Sequence, residues 1–205
     1  LPSQGGLRGL HWRPDIRPQP AQGEVLIRVH ATGLNFRDVM FAQGVLPEEM
    51  LDGGMAGPSL GLECAGEVVA VGPDVEQPAV GTRVMCFTGR AFSSYVIAKA
   101  GACQAIPQAW TFTAAATVPI TFFTAVYALG ELAHIREGER VLIHGAAGGV
   151  GMAAIQYAQH KGAQIFATGG SVEKRALLRT LGAHHVYSSR DLQFGEQILV
   201  DTERQ

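Results

Sequence analysis

The sequence predicts an α/β protein in two parts, a β-rich part followed by a part in which strands and helices alternate. Short β-branched runs bounded by Gly, Pro, Asn and Asp fill the first half of the 205-residue chain, a pattern typical of strands joined by turns. From about Trp110 onward strand and helix patterns alternate, which indicates a parallel sheet. In this second half a glycine-rich turn, HGAAGGVG at 144–151, joins a strand to a helix.

The first part, which we assign to residues 1–108, is predicted to be mostly antiparallel. Three strand runs carry this prediction: EVLIRVHATGL from Glu24, GLECAGEVVAVG from Gly61 and GTRVMCFTG from Gly81. Several turn signals lie close together between the second and third runs, which favours a compact, irregular barrel over a regular sandwich.

The second part, which we assign to residues 109–205, begins with the helical pattern FTAAATVPITFFTAVYALGEL, in which Pro119 predicts a kink or a break. Strand, helix, strand and helix patterns follow as RVLIHGA, GVGMAAIQYAQHKG, QIFATGG and SVEKRALLRTLG. The last residues, EQILVDTERQ, end before the next strand of such a series, and a sheet missing its remaining strands would expose an apolar edge. We therefore expect this part to be incomplete and the 205 residues to be a fragment or one part of a longer polypeptide.

Composition and charge favour a small-molecule partner. The hydrophobic fraction of 47% is ample for buried cores, and the formal net charge is −2. Lys and Arg are scattered, which offers no basic surface for nucleic acid or an anionic membrane. The amino terminus lacks the charged-then-apolar order of a signal peptide, and we expect no apolar run as long as a transmembrane helix. These features predict a cytoplasmic protein.

The cysteines and histidines predict no metal site. Cys64, Cys86 and Cys103 are far apart in sequence without CxxC spacing, which favours neither a disulfide framework nor structural zinc. We expect these thiols to be reduced and buried as small apolar side chains. Only His184 and His185 are close in sequence, and neighbours on a strand point to opposite faces.

The glycine-rich turn has the spacing of a dinucleotide-binding site. Such a turn needs small residues where the chain turns, where its backbone approaches a pyrophosphate and where helix meets strand. A strand before the turn and a helix after it would aim free N–H groups at a phosphate. Alanine at the first spaced position departs from GxGxxG, and a close-packed turn without a ligand is the alternative. The candidate cofactor-binding residues are Ala146, Ala147, Gly148, Gly149, Val150 and Gly151.

The end of the next strand predicts which dinucleotide binds. NAD-preferring sites place Asp or Glu about 20 residues beyond the glycines, where it accepts from the ribose 2′-hydroxyl. This chain has ATGGS there, and a hydroxyl and two cations follow as Ser171, Lys174 and Arg175. Without an acid to repel a 2′-phosphate, the sequence favours NADPH over NADH. The alternative is that Ser171 caps a helix whose solvated face carries the cations, and Glu173 counts slightly against phosphate binding.

Several blocks resemble a known family over nearly the whole chain from about Gly23. They are GLNFRDVMFAQG, GLECAGEVVAVG, ATVPITFFTAVYAL, VLIHGAAGGVGMAAIQYAQHKGAQIFAT and SSRDLQFGEQI, in family order. Together they resemble the enoyl reductase domain of modular polyketide synthases and animal fatty-acid synthases, within the zinc-independent medium-chain dehydrogenases/reductases. The resemblance implies a GroES-like substrate domain, a Rossmann-type nucleotide-binding domain and a cleft between them.

The resemblance also implies a reaction, the NADPH-dependent reduction of the C2=C3 double bond of a 2-enoyl thioester carried on an acyl carrier protein. Hydride would go to C3, and a proton would go to C2 of the resulting enolate. The partners would be the carrier protein and neighbouring domains of a multifunctional synthase. Zinc-dependent relatives carry a histidine in a G-H-E block, whereas this chain has GLEC from Gly61 to Cys64, which implies a site without catalytic metal.

Candidate residues for the chemistry come from the same resemblance. LNFRD offers Asn35 and Asp38 at the cleft, in a loop after a strand; the plainer role for both is to fix a turn through side-chain to backbone hydrogen bonds. Lys174 resembles a lysine considered as proton donor and as cofactor contact, although a neighbouring phosphate would make it a poor acid. Arg190 resembles a phosphate-side cation. Thr124 resembles a nicotinamide-side contact, and its plainer role is packing within a helix.

Two other functions stay open from the sequence. A soluble NADPH-dependent quinone or enone reductase would share the glycine turn and the cofactor preference. A truncated, non-catalytic domain would serve as a scaffold in a larger assembly, and cofactor binding separates it from both enzymes. Leu46 stands where many relatives carry a tyrosine beside the substrate, which leaves the proton donor and the C2 configuration open.

Overall fold

The computed structural model describes residues 6–47, 49, 51 and 57–203. By its internal contacts the chain forms two compact units that divide between Ile120 and Thr121. The first unit holds an antiparallel sheet and the second a parallel sheet, so the predicted α/β class is confirmed. The domain boundary after residue 108 stays a prediction, because the division by contacts does not show where an independently folding domain begins.

The sheet of the first unit has five antiparallel strands. They are β1 (Glu24–Thr32), β2 (Glu63–Val71), β3 (Arg83–Phe87), β4 (Tyr95–Lys99) and β5 (Cys103–Ala105), in the spatial order β4-β1-β2-β3-β5. Single turns of 3₁₀-helix occur at Leu7–Gly9 and Ala100–Ala102. The register between β1 and β2 shifts twice, so the pairing of these two strands is irregular. That this sheet closes into a compact barrel stays a prediction.

The core of this unit forms from alternate positions of the central strands. The buried cluster consists of Val25, Ile27, Cys64, Val68, Val84, Cys86, Ala91, Val96 and Ala98. Cys64 and Cys86 are buried as expected, but the expectation is wrong for Cys103, which is only partly buried. Its strand, β5, lies at the edge of the sheet, where a side chain has a neighbouring strand on one side only.

A short helix, α1 (Phe36–Ala42), replaces the loop predicted after the first strand. Asn35 occupies the N-cap position in an extended conformation. The carboxylate of Asp38, in the first turn, accepts from the backbone N–H of Asn35 at 3.2 Å. This reciprocal arrangement of a cap residue and an acid three positions later starts a helix, which is why the loop prediction for residues 36–38 was wrong.

The long apolar segment that begins at Phe112 is helical but interrupted. It comprises α2 (Phe112–Ala115), α3 (Pro119–Ala125) and a π-helical continuation (Val126–Leu132). Between α2 and α3 the backbone makes tighter bonds three residues apart, from Thr117 to Ala114 and from Val118 to Ala115. Since α3 starts at Pro119, the predicted break at this proline is confirmed.

The same segment corrects an expectation about apolar runs. Among the described residues, the span Phe112–Leu132 is long and apolar enough to cross a membrane by length and composition, with a mean hydropathy of 1.6. The expectation that no run reaches this length was therefore wrong. By itself this criterion is weak, because core helices of soluble proteins also meet it.

The second unit is a parallel β–α–β–α–β–α series. Its elements are β6 (Arg140–Ile143), α4 (Gly149–His160), β7 (Gln164–Gly169), α5 (Val172–Thr180), β8 (His185–Ser188) and α6 (Gln193–Asp201). The three strands pair in the order β6-β7-β8. Small side chains on the buried face of α4, including Ala153, Ala154 and Ala158, pack with Ile165 of β7 and Leu178 of α5. The predicted parallel sheet is confirmed.

The close approach of β1 and β2 predicts the effect of one substitution. A methyl group at Gly66 would overlap the carbonyl oxygen of Arg28 on the neighbouring strand, and backbone cannot move aside cheaply. We expect Gly66→Ala to lower the free energy of unfolding by about 1–3 kcal/mol, as overpacked sites do. Urea titrations would measure this change. Gly101→Ala is the matched control, since a methyl group there meets no atom within 4 Å; equal effects of the two substitutions would contradict the prediction.

Candidate nucleotide-binding site and buried carboxylate cluster

The glycine-rich turn is held against the neighbouring strand by one threonine. Thr168, fully buried near the end of β7, accepts from the backbone N–H of Gly145 at 3.1 Å through its hydroxyl oxygen. Its carbonyl oxygen accepts from Ala146 at 3.0 Å. Gly145 has φ +58°, a left-handed conformation that favours glycine. The sequence analysis missed Thr168; its signal was a hydroxyl residue just before the glycines of ATGGS.

The spaced small residues of the turn lie where helix and strand meet. A Cβ at Gly151 would lie 2.5 Å from the Cα of Ala146, so the first turn of α4 packs directly on the turn backbone. Ala146, which departs from the glycine pattern, is fully buried at this contact. A Cβ at Gly149 would lie 3.2 Å from the Cγ2 of Thr121, so the side chain of Thr121 lies beside the turn.

The N-terminus of α4 can receive an anion. Gly148 is the N-cap residue, and within the described part of the chain no side chain caps this end of the helix. Gly148, Gly149 and Val150 are exposed, whereas Ala147 is partly buried. The first backbone N–H groups of a helix and the positive end of its dipole favour a phosphate or carboxylate. The turn therefore fits the pyrophosphate of a dinucleotide.

Two arginines distant in sequence converge on the end of β7. Arg175 of α5 donates through Nη1 to the carbonyl oxygen of Gly169 at 3.0 Å. Arg190, two residues after β8, donates through Nε to the carbonyl oxygen of Gly170 at 3.3 Å. These adjacent carbonyls lie where the sequence predicted recognition of the ribose. The two guanidinium groups thus bring positive charge to the edge of the parallel sheet that is formed by the carboxyl ends of its strands.

The start of α5 completes this edge. Ser171 is the N-cap residue and accepts from the backbone N–H of Lys174 at 3.3 Å, so its predicted capping role is confirmed. Lys174 is exposed in the first turn. A hydrogen bond from Ser171 holds the pKa of Glu173 below its ordinary value, which keeps an acid ionised in the same turn. Thr124 is exposed on α3, one turn after Thr121.

A separate cluster in the first unit centres on a buried carboxylate. Glu63, the first residue of β2, is 2% exposed. One carboxylate oxygen accepts from Nδ2 of Asn35 at 2.9 Å, and the other accepts from the backbone N–H of Ile120 at 2.9 Å. Burial raises the pKa of this carboxyl, and the nearby charge of Asp38 adds to the effect. Glu63 was missed by the sequence analysis, although an acid beginning an apolar strand run was a signal for it.

Asp38 has both of its carboxylate oxygens engaged by backbone. Beside the Asn35 contact, Asp38 accepts from the N–H of Gly61 at 2.8 Å, and its side chain is buried. It therefore fixes the loop before β2 against α1. Asn35 is partly buried and its amide is oriented by Glu63. The structure brings both sequence candidates into one cluster and gives each of them a local structural partner.

Among the described residues, no group of three or more His, Cys, Asp or Glu side chains is placed to hold a metal ion. Leu62 precedes Glu63 in the block where zinc-dependent relatives carry histidine. The absence of a metal stays a prediction.

Comparison with known proteins supports this combination of units. Residues 21–119 match the family described as "Alcohol dehydrogenase GroES-like domain", and residues 149–205 match that described as "Zinc-binding dehydrogenase". The GroES-like sheet and the β–α–β unit with its glycine turn define a medium-chain dehydrogenase/reductase.

Relatives narrow the family further. The chain is 46% identical over 199 residues to the pikromycin polyketide synthase component PikAII of Streptomyces venezuelae, a match that covers 94% of this chain and 5% of that protein. It is 43% identical to the CurK enoyl reductase, with a TM-score of 0.93 over 100% of this chain and 63% of the other. The chain belongs to the family of polyketide synthase enoyl reductase domains.

A second similar structure was solved with a cofactor. Mycobacterial Rv1454c complexed with NADPH is 31% identical to this chain, with a TM-score of 0.83 over 98% of this chain and 62% of that one. The chain thus spans less than two thirds of the solved relatives it matches and about one twentieth of the synthase.

The raised pKa of Glu63 predicts a pH dependence of stability. The folded state holds the Glu63 proton more tightly than the unfolded chain does, so the contribution of this group to stability is greatest below its ordinary pKa. That contribution falls as the pH rises through the raised pKa. We expect the stability difference between wild type and Glu63→Gln to shift towards the variant as the pH rises above the ordinary pKa of a glutamate, measured by urea unfolding. The exposed Glu76→Gln serves as control; parallel pH profiles for wild type and Glu63→Gln would refute the assignment.

Proposed function

We propose that this chain is the NADPH-binding and substrate-positioning part of an enoyl reductase that reduces the C2=C3 bond of a 2-enoyl thioester on an acyl carrier protein. The observation that carries the cofactor choice is the convergence of Arg175 and Arg190 at the end of β7. Guanidinium groups suit a phosphate because they are permanently charged and donate in a fixed fork. At the position where an NAD site carries an acid, this chain has Gly169, Gly170 and Ser171.

The residues of the second unit fit the parts of NADPH. The N-terminus of α4, from Gly148 to Gly151, would hold the pyrophosphate. Ser171, Lys174, Arg175 and Arg190 would hold the 2′-phosphate, and Thr124 would contact the nicotinamide side. When bound, NADPH supplies the hydride for the reduction.

Lys174 has two proposed roles that differ in charge. As a phosphate contact the ammonium group stays protonated, because the anion stabilises its charged form. As a proton donor towards C2 it must release the proton to the enolate and be protonated again. We favour the phosphate role, since Lys174 shares the first turn of α5 with Ser171, at the same edge as the two guanidinium groups.

The substrate side is assigned to Asn35 and Asp38. The Asn35 amide is held by Glu63, so an oriented polar group stands at the start of α1. Asp38 makes its contacts to backbone, and its role is to hold α1 and the loop before β2 in place. Neither residue is required to exchange a proton in this proposal.

The relatives support the partners that we propose. PikAII is a polyketide synthase component, and its length implies further domains beside the matched region. We propose that this chain likewise works beside neighbouring synthase domains in the cytoplasm and receives its substrate from an acyl carrier protein.

The reaction is tested by following NADPH oxidation by the full-length protein with crotonyl-pantetheine and a simple quinone in parallel. Faster turnover of the thioester, with NADH as the poorer cofactor, is the expected result. Faster turnover of the quinone would contradict this proposal and indicate a quinone reductase. NADPH binding without turnover of either substrate would indicate a non-catalytic domain.

Cofactor preference is tested at the basic edge. We expect Lys174→Ala, Arg175→Ala and Arg190→Ala each to raise the Kd for NADPH by about 10- to 100-fold, the loss expected for a hydrogen bond to a charged group. The Kd for NADH should change little, because NADH has no 2′-phosphate. Arg179→Ala, also exposed on α5, is the control. Equal losses for NADPH and NADH would mean that the side chains only support the fold.

A further inference from the structure

The three cysteines lie side by side across three adjacent strands. Cys64 of β2 is the register partner of Cys86 of β3, and Cys86 is the register partner of Cys103 of β5. The sulfur atoms of Cys64 and Cys86 are 3.6 Å apart. Sequence spacing gave no sign of this row, because it arises only from strand pairing.

The pairing of β3 with β5 places Cys86 and Cys103 within reach of a disulfide. Ile106 donates to the carbonyl oxygen of Arg83 at 2.9 Å, which makes these two residues a hydrogen-bonded pair. Pair types alternate along an antiparallel ladder, so Cys86 and Cys103, three positions along, form a non-hydrogen-bonded pair. Such pairs have Cα atoms about 4.5 Å apart, inside the range of about 4.4–6.8 Å found for disulfides.

The two thiols differ in access and in acidity. Cys86 is 1% exposed, whereas Cys103 is partly exposed at the sheet edge. Hydrogen bonding with Cys86 holds the pKa of Cys103 below its ordinary value, and hydrogen bonds with Cys103 and Cys64, together with burial, raise the pKa of Cys86. As a thiol Cys103 also donates to the carbonyl oxygen of Lys99 at 3.5 Å. Cys103 is therefore the accessible nucleophile, and Cys86 is the protonated partner behind it.

We propose that Cys103 and Cys86 form a dithiol site that small hydroperoxides oxidise to a cross-strand disulfide. The Cys103 thiolate attacks the peroxide O–O bond, becomes a sulfenic acid and releases hydroxide or alkoxide. The Cys86 sulfur then displaces the hydroxyl from the Cys103 sulfur, and its proton leaves with that hydroxyl as water. Two thiols are oxidised by two electrons in total, and one peroxide is reduced.

Cys64 takes no part in this disulfide. It is fully buried on the far side of Cys86 from β5, so peroxide reaches Cys103 first. The three thiols do not form a metal-holding group among the described residues, which favours oxidation over ion binding. The site lies within the sheet of the first unit and is independent of the proposed reductase activity.

Trypsin makes the disulfide directly observable, because cleavage after Lys and Arg puts the cysteines on separate peptides. Cys64 falls on 38–83, Cys86 on 84–90 and Cys103 on 100–136. The full-length protein would be treated with dilute hydrogen peroxide under native conditions, freed of peroxide, unfolded in an excess of alkylating agent, digested and analysed by mass spectrometry. We expect peptides 84–90 and 100–136 to be linked, with the mass of two hydrogens lost, and the link to disappear on reduction.

Cysteine variants distinguish the proposed disulfide from unspecific oxidation of the cysteines. Cys103→Ser should abolish the link and protect Cys86 from peroxide, whereas Cys64→Ser should leave the link between 84–90 and 100–136 intact. A link between 38–83 and 84–90, or a Cys103 that accumulates as sulfinic acid without any link, would overturn the proposal. Circular dichroism of each variant before treatment would show that the sheet is formed.

Discussion

The carboxylate of Glu63 joins three segments of the first unit, and the arrangement of the cluster around Asn35 and Asp38 depends on it. Burying an ionisable group is costly unless its oxygens are hydrogen-bonded. Here one carboxylate oxygen accepts a hydrogen bond from the side-chain amide of Asn35, just before α1. The other accepts a hydrogen bond from the backbone N–H of Ile120 in α3. The Glu63 side chain lies directly on the backbone of Gly33, where any Cβ would overlap it. One acid at the start of β2 thus holds the end of β1, the start of α1 and the start of α3.

Thr168 has the corresponding role in the second unit. Its hydroxyl and its carbonyl oxygen hold two successive N–H groups of the glycine-rich turn, so the turn is fixed by the strand beside it as well as by its glycines. The close packing of Gly151 on Ala146 fixes its other side. In both units a polar residue near one terminus of a strand, the start of β2 or the end of β7, sets the geometry of residues that were recognised first by their sequence pattern.

The sequence predicted the parts of the fold that depend on local pattern. Strands β1, β2, β3, β6 and β7, helices α4 and α5, the break at Pro119 and the cap at Ser171 all have short-range causes: alternation, small-residue turns, a missing N–H and a capping hydroxyl. The prediction failed for α1, because Asn35 and Asp38 favour a turn and a helix start equally. It also missed β4, β8 and α6, together with β5, which has only three residues. The convergence of Arg175 with Arg190 and the row of cysteines come from strand pairing, which no local pattern contains.

The contacts of Arg175 and Arg190 with main-chain carbonyls have a consequence for preorganisation. Each guanidinium is already oriented by the backbone of Gly169 or Gly170, so part of the rotamer entropy that a long side chain loses on binding an anion is lost during folding instead. A lysine at either position would keep the charge without the fork that bonds a carbonyl and an anion together. Selectivity for a phosphorylated ligand would then depend on the backbone conformation of Gly169 and Gly170, whose carbonyl oxygens orient the two arginines. It would depend on that conformation as much as on the identity of the cationic side chains.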